Sequence, residues 1–144
     1  MAQQQSDPSA TLVAVTDEAR FALGGRPAVR MTEFPFKVGR ESRQRFEKLR
    51  TEVDRRLGGV PPLNDLYLVE PSSDSLHISR EHLAIGYLDG RFFLVDRGSA
   101  CGTTAAGARV GGDRKEGRAD LRDGDLIVIG SDDSPYVFRF HVDA

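Results

Sequence analysis

The sequence has no tryptophan and a single cysteine, Cys101. One cysteine cannot close an internal disulfide, which fits a reducing compartment and leaves stability to a packed core. A dominant charge is also missing: 20 Lys and Arg face 22 Asp and Glu, and the net charge of −2 gives no bulk field for nucleic acid or an anionic membrane. No apolar run approaches the roughly 18 residues of a membrane-spanning helix. Residues Met1 to Ser9 lack the basic start and apolar centre of a signal peptide. There is no Walker-type glycine loop, and His77, His82 and His141 do not share metal-ligand spacing with cysteines or carboxylates. Nothing in the spacing of Cys101 and His82 suggests nucleophilic catalysis. The expectation is a cytoplasmic, non-catalytic chain without metal or cofactor, binding neither nucleic acid nor membrane.

What the sequence does contain is enough for one folded domain. At 144 residues, with 39% hydrophobic and 29% charged, it can bury a core and is not compositionally disordered. Residues 1–10 are polar and Pro-containing, and are expected to form a disordered tail. Thr11 to Val15, Ala28 to Met31 and Phe34 to Val38 read as strands; Pro35 donates no ladder bond, so the last should lie at an edge or begin there. Further strands are expected at Asp65 to Val69, at Leu83 to Leu88 and Arg91 to Val95 around the turn Asp89-Gly90, and at Leu126 to Ile129. The last, Tyr136 to Val142, should place Tyr136, Phe138, Phe140 and Val142 on one face.

Residues 42–57 break this rhythm. Phe46, Leu49, Val53 and Leu57 form one helical stripe, and Gly58-Gly59 before Pro61-Pro62 stops it. The spacing predicts a helix whose basic residues are either a solvated face or a docking surface for an acidic partner. The whole is an all-β sandwich with one inserted α-helix.

The chemistry concentrates in Ser79-Arg80-Glu81-His82, with Gly39-Arg40 upstream and Asp96-Arg97-Gly98-Ser99-Ala100-Cys101-Gly102-Thr103 downstream. With Leu121, Gly124, Asp125, Ile127, Ile129 and Gly130 following in order, this pattern resembles the forkhead-associated (FHA) domain, over nearly all of the chain after residue 10. The resemblance implies an FHA-type sandwich of two antiparallel sheets over 11–144, with the helical insertion at about 41–62. It also implies phosphothreonine-dependent binding of a protein partner in Ser/Thr-kinase signalling. A phosphate with nearly two charges and three acceptor oxygens calls for a guanidinium, hydroxyls and main-chain donors on converging loops. By resemblance, Arg40 and Ser79 contact the phosphate, Arg80 supports them, and Cys101, Gly102 and Thr103 form the third loop against the peptide. Gly39 and His82 brace the site. Arg40 could instead be a surface arginine in an ion pair.

The sequence departs from the family at three side chains. The asparagine usual before Gly-Thr is Cys101, its neighbour is Ala100, and a second asparagine position holds Ala106. A thiol is a weak substitute for an amide. The peptide clamp is therefore reduced, and an alternative reading is a phosphate-independent scaffold that uses the insertion. Cys101 either fills a turn or, beside Arg40 and Arg80, is an activated thiol.

Overall fold

The computed structural model describes residues 7–41, 64–71 and 76–143. The expected helix over 42–57 lies outside them. Among the described residues, eleven strands form two packed sheets. The first strand, β1 (Ala10–Ala14), is followed by a short helix α1 (Asp17–Ala22), then β2 (Ala28–Met31), β3 (Phe36–Arg40) and β4 (Leu66–Leu68). The hairpin β5 (Leu83–Leu88) and β6 (Arg91–Asp96) precedes β7 (Thr103–Ala105), β8 (Ala108–Val110), β9 (Gly117–Leu121), β10 (Leu126–Ile129) and β11 (Val137–Val142). One sheet has the order β2-β1-β11-β10-β7-β8 and the other β4-β3-β5-β6-β9.

The expectation of two purely antiparallel sheets needs one correction. β4 joins β3 in parallel, with Val38 opposite Leu66 and Arg40 opposite Leu68. A parallel neighbour requires a crossover of a dozen residues or more, and residues 41–65 supply that length. Thus the long connection that interrupts the β pattern also returns the chain to the end of the sheet where β3 began. Pro35 falls just before β3, which is an inner strand, so of the two placements open to it the chain adopts the start of the strand.

Period-2 alternation sets the core. Leu83 and Ile85 on β5 meet Leu94 on β6, and Ile127, Phe138 and Phe140 face them from the other sheet, all at most 1% exposed. Phe92 packs edge-on against both Phe34 and Phe140, with centroids 5.3 Å apart in each pair. Burying each such ring contributes about 2–3 kcal/mol. Asp89 and Gly90 both take positive φ, 52° and 79°, as a two-residue hairpin turn requires. Val142 shares the inward face of β11 but stays 39% exposed, because it lies at the rim opposite Ala10.

α1 is an addition to the sequence reading. Thr16 caps it by accepting the Ala19 N–H at 3.1 Å, Asp17 and Glu18 favour its N-terminal dipole, and Ala19 and Ala22 are buried. Six residues are too few for a helical period to stand out. Among the described residues no helix is long and apolar enough to cross a membrane.

Candidate functional site

Three segments meet at one end of the sandwich. β3 and the chain entering β5 continue their pairing beyond the strand end: the Arg40 N–H donates to Ser79 O at 2.9 Å and the His82 N–H to Val38 O at 3.1 Å. This pairing brings Gly39-Arg40 alongside Ser79-Arg80. Gly39 is required by space. A Cβ there would sit 1.9 Å from the Arg80 carbonyl oxygen and 2.6 Å from Nδ2 of Asn64. Asn64 Nδ2 donates to that same carbonyl at 2.7 Å, and Asn64 Oδ1 accepts from Arg97 Nη1 at 2.6 Å. Arg97 also reaches Glu81 at 2.9 Å. The Arg80 main chain is therefore fixed from two sides while its side chain stays exposed.

His82 ties the second segment to the third. Fully buried, it accepts the Ser79 N–H at Nδ1 (2.9 Å) and donates Nε2–H to Gly102 O (2.7 Å), which fixes the neutral Nε2–H tautomer. Burial pushes its pKa below the ordinary histidine value. The hydrogen bond to Gly102 and the Asp96 carboxylate, 3.9 Å away, oppose that shift without reversing it.

The third loop, residues 96–102, folds around Asp96, which is completely buried. Its Oδ1 accepts the N–H groups of Gly98 and Ser99, and its Oδ2 accepts the hydroxyls of Ser99 and Thr103, all within 3.0 Å. Ser99 Oγ accepts the Gly102 N–H in turn, at 2.9 Å. Thr103 is buried and turned inward, so its hydroxyl frames the loop from inside. Ser79 Oγ accepts the Ala100 N–H at 3.0 Å, closing the ring of segments.

Arg40 stands apart from this network. Its Nε is the one buried side-chain polar atom without a hydrogen-bond partner among the described residues. No ion pair there engages Arg40 or Arg80. Cys101 is half-buried; its Sγ contacts Leu76 O at 3.5 Å, while its carbonyl accepts from Arg109 Nη2 at 2.6 Å.

The residues of this end match a family model, the FHA domain, over 37–130. The chain belongs to the FHA domain family. Solved structures agree at the level of fold. The kinase-interacting FHA domain of the Arabidopsis kinase-associated protein phosphatase superposes with a TM-score of 0.62 at 18% identity, over 97% of this chain and 98% of that one. The first FHA domain of Mycobacterium tuberculosis Rv1747 gives 0.58 at 21% identity, over 96% of this chain and 100% of its own. M. tuberculosis EmbR, solved with a low-affinity phosphopeptide, gives 0.56 at 22% identity, covering 100% of this chain but 27% of EmbR. A search among curated protein sequences finds none that matches. The family match spans 37–130, and the likeness of fold extends over nearly the whole chain.

Three contributors to the FHA site carry no signal in the sequence. Asn64 acts on Arg80 across 16 positions. Glu70 accepts the N–H groups of His77 and Ile78 with its two oxygens, at 2.8 and 2.9 Å, and so anchors the approach to Ser79. Beside it, burial and the Glu70 carboxylate push the Tyr136 phenol up to about 12. Arg109 holds the third loop by its carbonyl. A lone polar residue in a loop or a short strand announces none of these roles.

Proposed function

We propose that this FHA domain binds phosphothreonine-containing protein segments and reads Ser/Thr-kinase signals in the cytoplasm. FHA domains are typically phosphothreonine-binding modules. The observation that carries the reading here is the orphaned Nε of Arg40. A buried donor left unpaired costs about 1–3 kcal/mol, and a phosphate oxygen would recover that cost. On this reading Arg40 and Ser79 are the phosphate contacts and Arg80 the supporting cation. Ser79 already accepts from Ala100, so its own hydroxyl proton is available to donate. Cys101 lines the third loop toward the peptide, and Gly102, Thr103, Gly39 and His82 support the frame. Without side-chain amides at 101 and 106, about two neutral hydrogen bonds are lost, and affinity falls by roughly tenfold to a hundredfold relative to a fully equipped site.

The test is an NMR titration of labelled protein with a phosphothreonine peptide pool beside the unphosphorylated pool, repeated on Arg40→Ala. Shifts at Arg40, Ser79, Arg80 and Gly102 are expected with the phosphorylated pool alone. Loss of a charged hydrogen bond should weaken binding in Arg40→Ala by about tenfold to a hundredfold. Equal binding of both pools, or binding untouched by Arg40→Ala, would overturn the proposal in favour of a phosphate-independent interaction.

A further inference from the structure

Residues 111–114 follow β8, and their backbone is left-handed throughout. Gly111 and Gly112 take φ of 67° and 101°, and Asp113 and Arg114 take 53° and 62°. Glycine adopts such angles freely, whereas a residue with a Cβ is penalised by its approach to the following carbonyl oxygen. Asp113 tolerates the region because its side chain is short and polar; Arg114 has no such allowance. Nothing at the Arg114 side chain offsets the penalty. It is exposed and, among the described residues, makes no hydrogen bond or ion pair. What holds the turn is its main chain. Arg114 N–H donates to Ser99 O at 2.9 Å, Asp113 N–H to Ala100 O at 3.0 Å and Lys115 N–H to Gly112 O at 3.0 Å. A Cβ on Gly111 would lie 2.4 Å from Cγ of Asp96, so the turn rests directly on the buried carboxylate at the root of the third loop.

We infer that Asp113 and Arg114 are positioning residues: their left-handed turn holds Ser99-Ala100 so that the Ser79 hydroxyl is presented as a donor. This rests on the phosphothreonine reading above, in which Ser79 contacts the phosphate. The connection is short and made of hydrogen bonds. The turn fixes the carbonyls of Ser99 and Ala100, and Ala100 N–H in turn donates to Ser79 Oγ at 3.0 Å. With that lone pair engaged, the Ser79 proton is left for a ligand oxygen. If the turn relaxes to ordinary negative φ, the N–H groups of Asp113 and Arg114 no longer meet two adjacent carbonyls. Ala100 then loses its anchor, and its N–H is free to leave Ser79 Oγ. The Ser79 hydroxyl regains its rotation, and part of the population is no longer ready to bind. Apparent affinity falls in proportion to the fraction that is ready. Strain of this kind persists only where the surroundings over-determine it, and it concentrates at ligand clamps. The two residues need no contact with ligand, because they act through Ala100.

Position 114 lets backbone and side chain be separated. Arg114→Gly, Arg114→Ala and Arg114→Val remove the same charge and differ in their tolerance of positive φ, which falls in that order. Each variant is titrated with the phosphothreonine peptide pool, and amide hydrogen exchange at Ala100 is followed in the free protein. Exchange should be slowest in Arg114→Gly and faster by about fivefold to thirtyfold in Arg114→Val, the scale of the left-handed penalty on one residue. Affinity should follow the same order, with Arg114→Val binding about threefold or more weakly than Arg114→Gly. A merely structural turn would change urea stability in this order but leave affinity and Ala100 exchange level among the folded variants. Equal affinity of Arg114→Gly and Arg114→Val, or unchanged exchange at Ala100, would overturn the positioning role while leaving phosphothreonine binding intact. Should Arg114→Val fail to fold, Arg114→Gly against Arg114→Ala carries the same comparison. If no phosphothreonine peptide binds native protein, the underlying reading falls and the positioning role falls with it.

Discussion

Lowering the pH from 7 to 5 should loosen the bridge at His82, and the structure sets both sign and scale. The ring is neutral in the folded chain, with Nδ1 accepting from Ser79 N–H and Nε2–H donating to Gly102 O. Its folded pKa lies below the ordinary value because burial penalises the charged form. The unfolded chain, with an ordinary histidine, therefore binds more protons as pH falls below about 6.5, so stability must decrease in that direction. A single group contributes at most about 1.4 kcal/mol per pH unit, or about 2 kcal/mol between pH 6.5 and 5. The decline stops once pH passes below the folded pKa. The window is well separated from Asp133 and Asp143, which both titrate below the usual carboxylate range. Urea unfolding at pH 7, 6 and 5 measures the slope, and His82→Asn should remove this share of it. That variant should also lose about 2–4 kcal/mol at pH 7, because Ser79 N–H and Gly102 O lose a buried partner. Ring nitrogen shifts in NMR should report the neutral Nε2–H tautomer at pH 7 and a titration displaced below the ordinary histidine value. A ring that titrates at or above 6.5, or an Nδ1–H tautomer, would refute the reasoning.

Two further substitutions test the backbone of the site. Gly39→Ala should lose about 2 kcal/mol or more in urea unfolding, because the new methyl meets the fixed Arg80 carbonyl rather than a mobile side chain. Ala106→Asn should raise stability by about 0.5–1 kcal/mol in thermal unfolding, because Ala106 is held at φ 51° in the β7–β8 turn, a conformation that asparagine tolerates far better than alanine.

How much of this was legible in the sequence depended on where local pattern and tertiary pairing agree. β2 and β10 lie where their alternation predicts, and the β5–β6 hairpin does too, because Asp89-Gly90 fixes its register and each strand buries one face. β7, β8 and β9 were not legible. Thr103-Thr104-Ala105 and Ala108-Arg109-Val110 are three residues each, and Gly117–Leu121 carries Arg118 and Asp120, so no apolar alternation marks them. Their order comes from pairing: Thr104 lies between Val128 and Arg109, and β9 is aligned along β6. The site divides in the same way. Gly39, Arg40, Ser79, Arg80 and His82 stand in a recognisable motif, whereas Asn64, Glu70 and Arg109 act on main-chain groups that only the folded chain brings near.

The same division explains why the missing asparagines leave the loops in order. Ala100 holds its place by its N–H to Ser79 Oγ and its carbonyl to Asp113 N. Cys101 gives its carbonyl to Arg109, and Ala106 gives its N–H to Leu126 O. Each of these bonds is made by the main chain, so changing the side chains at 100, 101 and 106 leaves them untouched. The buried frame of Asp96, Ser99, Thr103 and His82 is likewise satisfied from within. On the proposed reading, side-chain amides at those positions would serve ligand rather than frame. Their loss shifts recognition from neutral hydrogen bonds onto Arg40 and Arg80. Arg80 is exposed. Recognition that rests on exposed guanidinium groups weakens as salt screens them, whereas an amide clamp would hold.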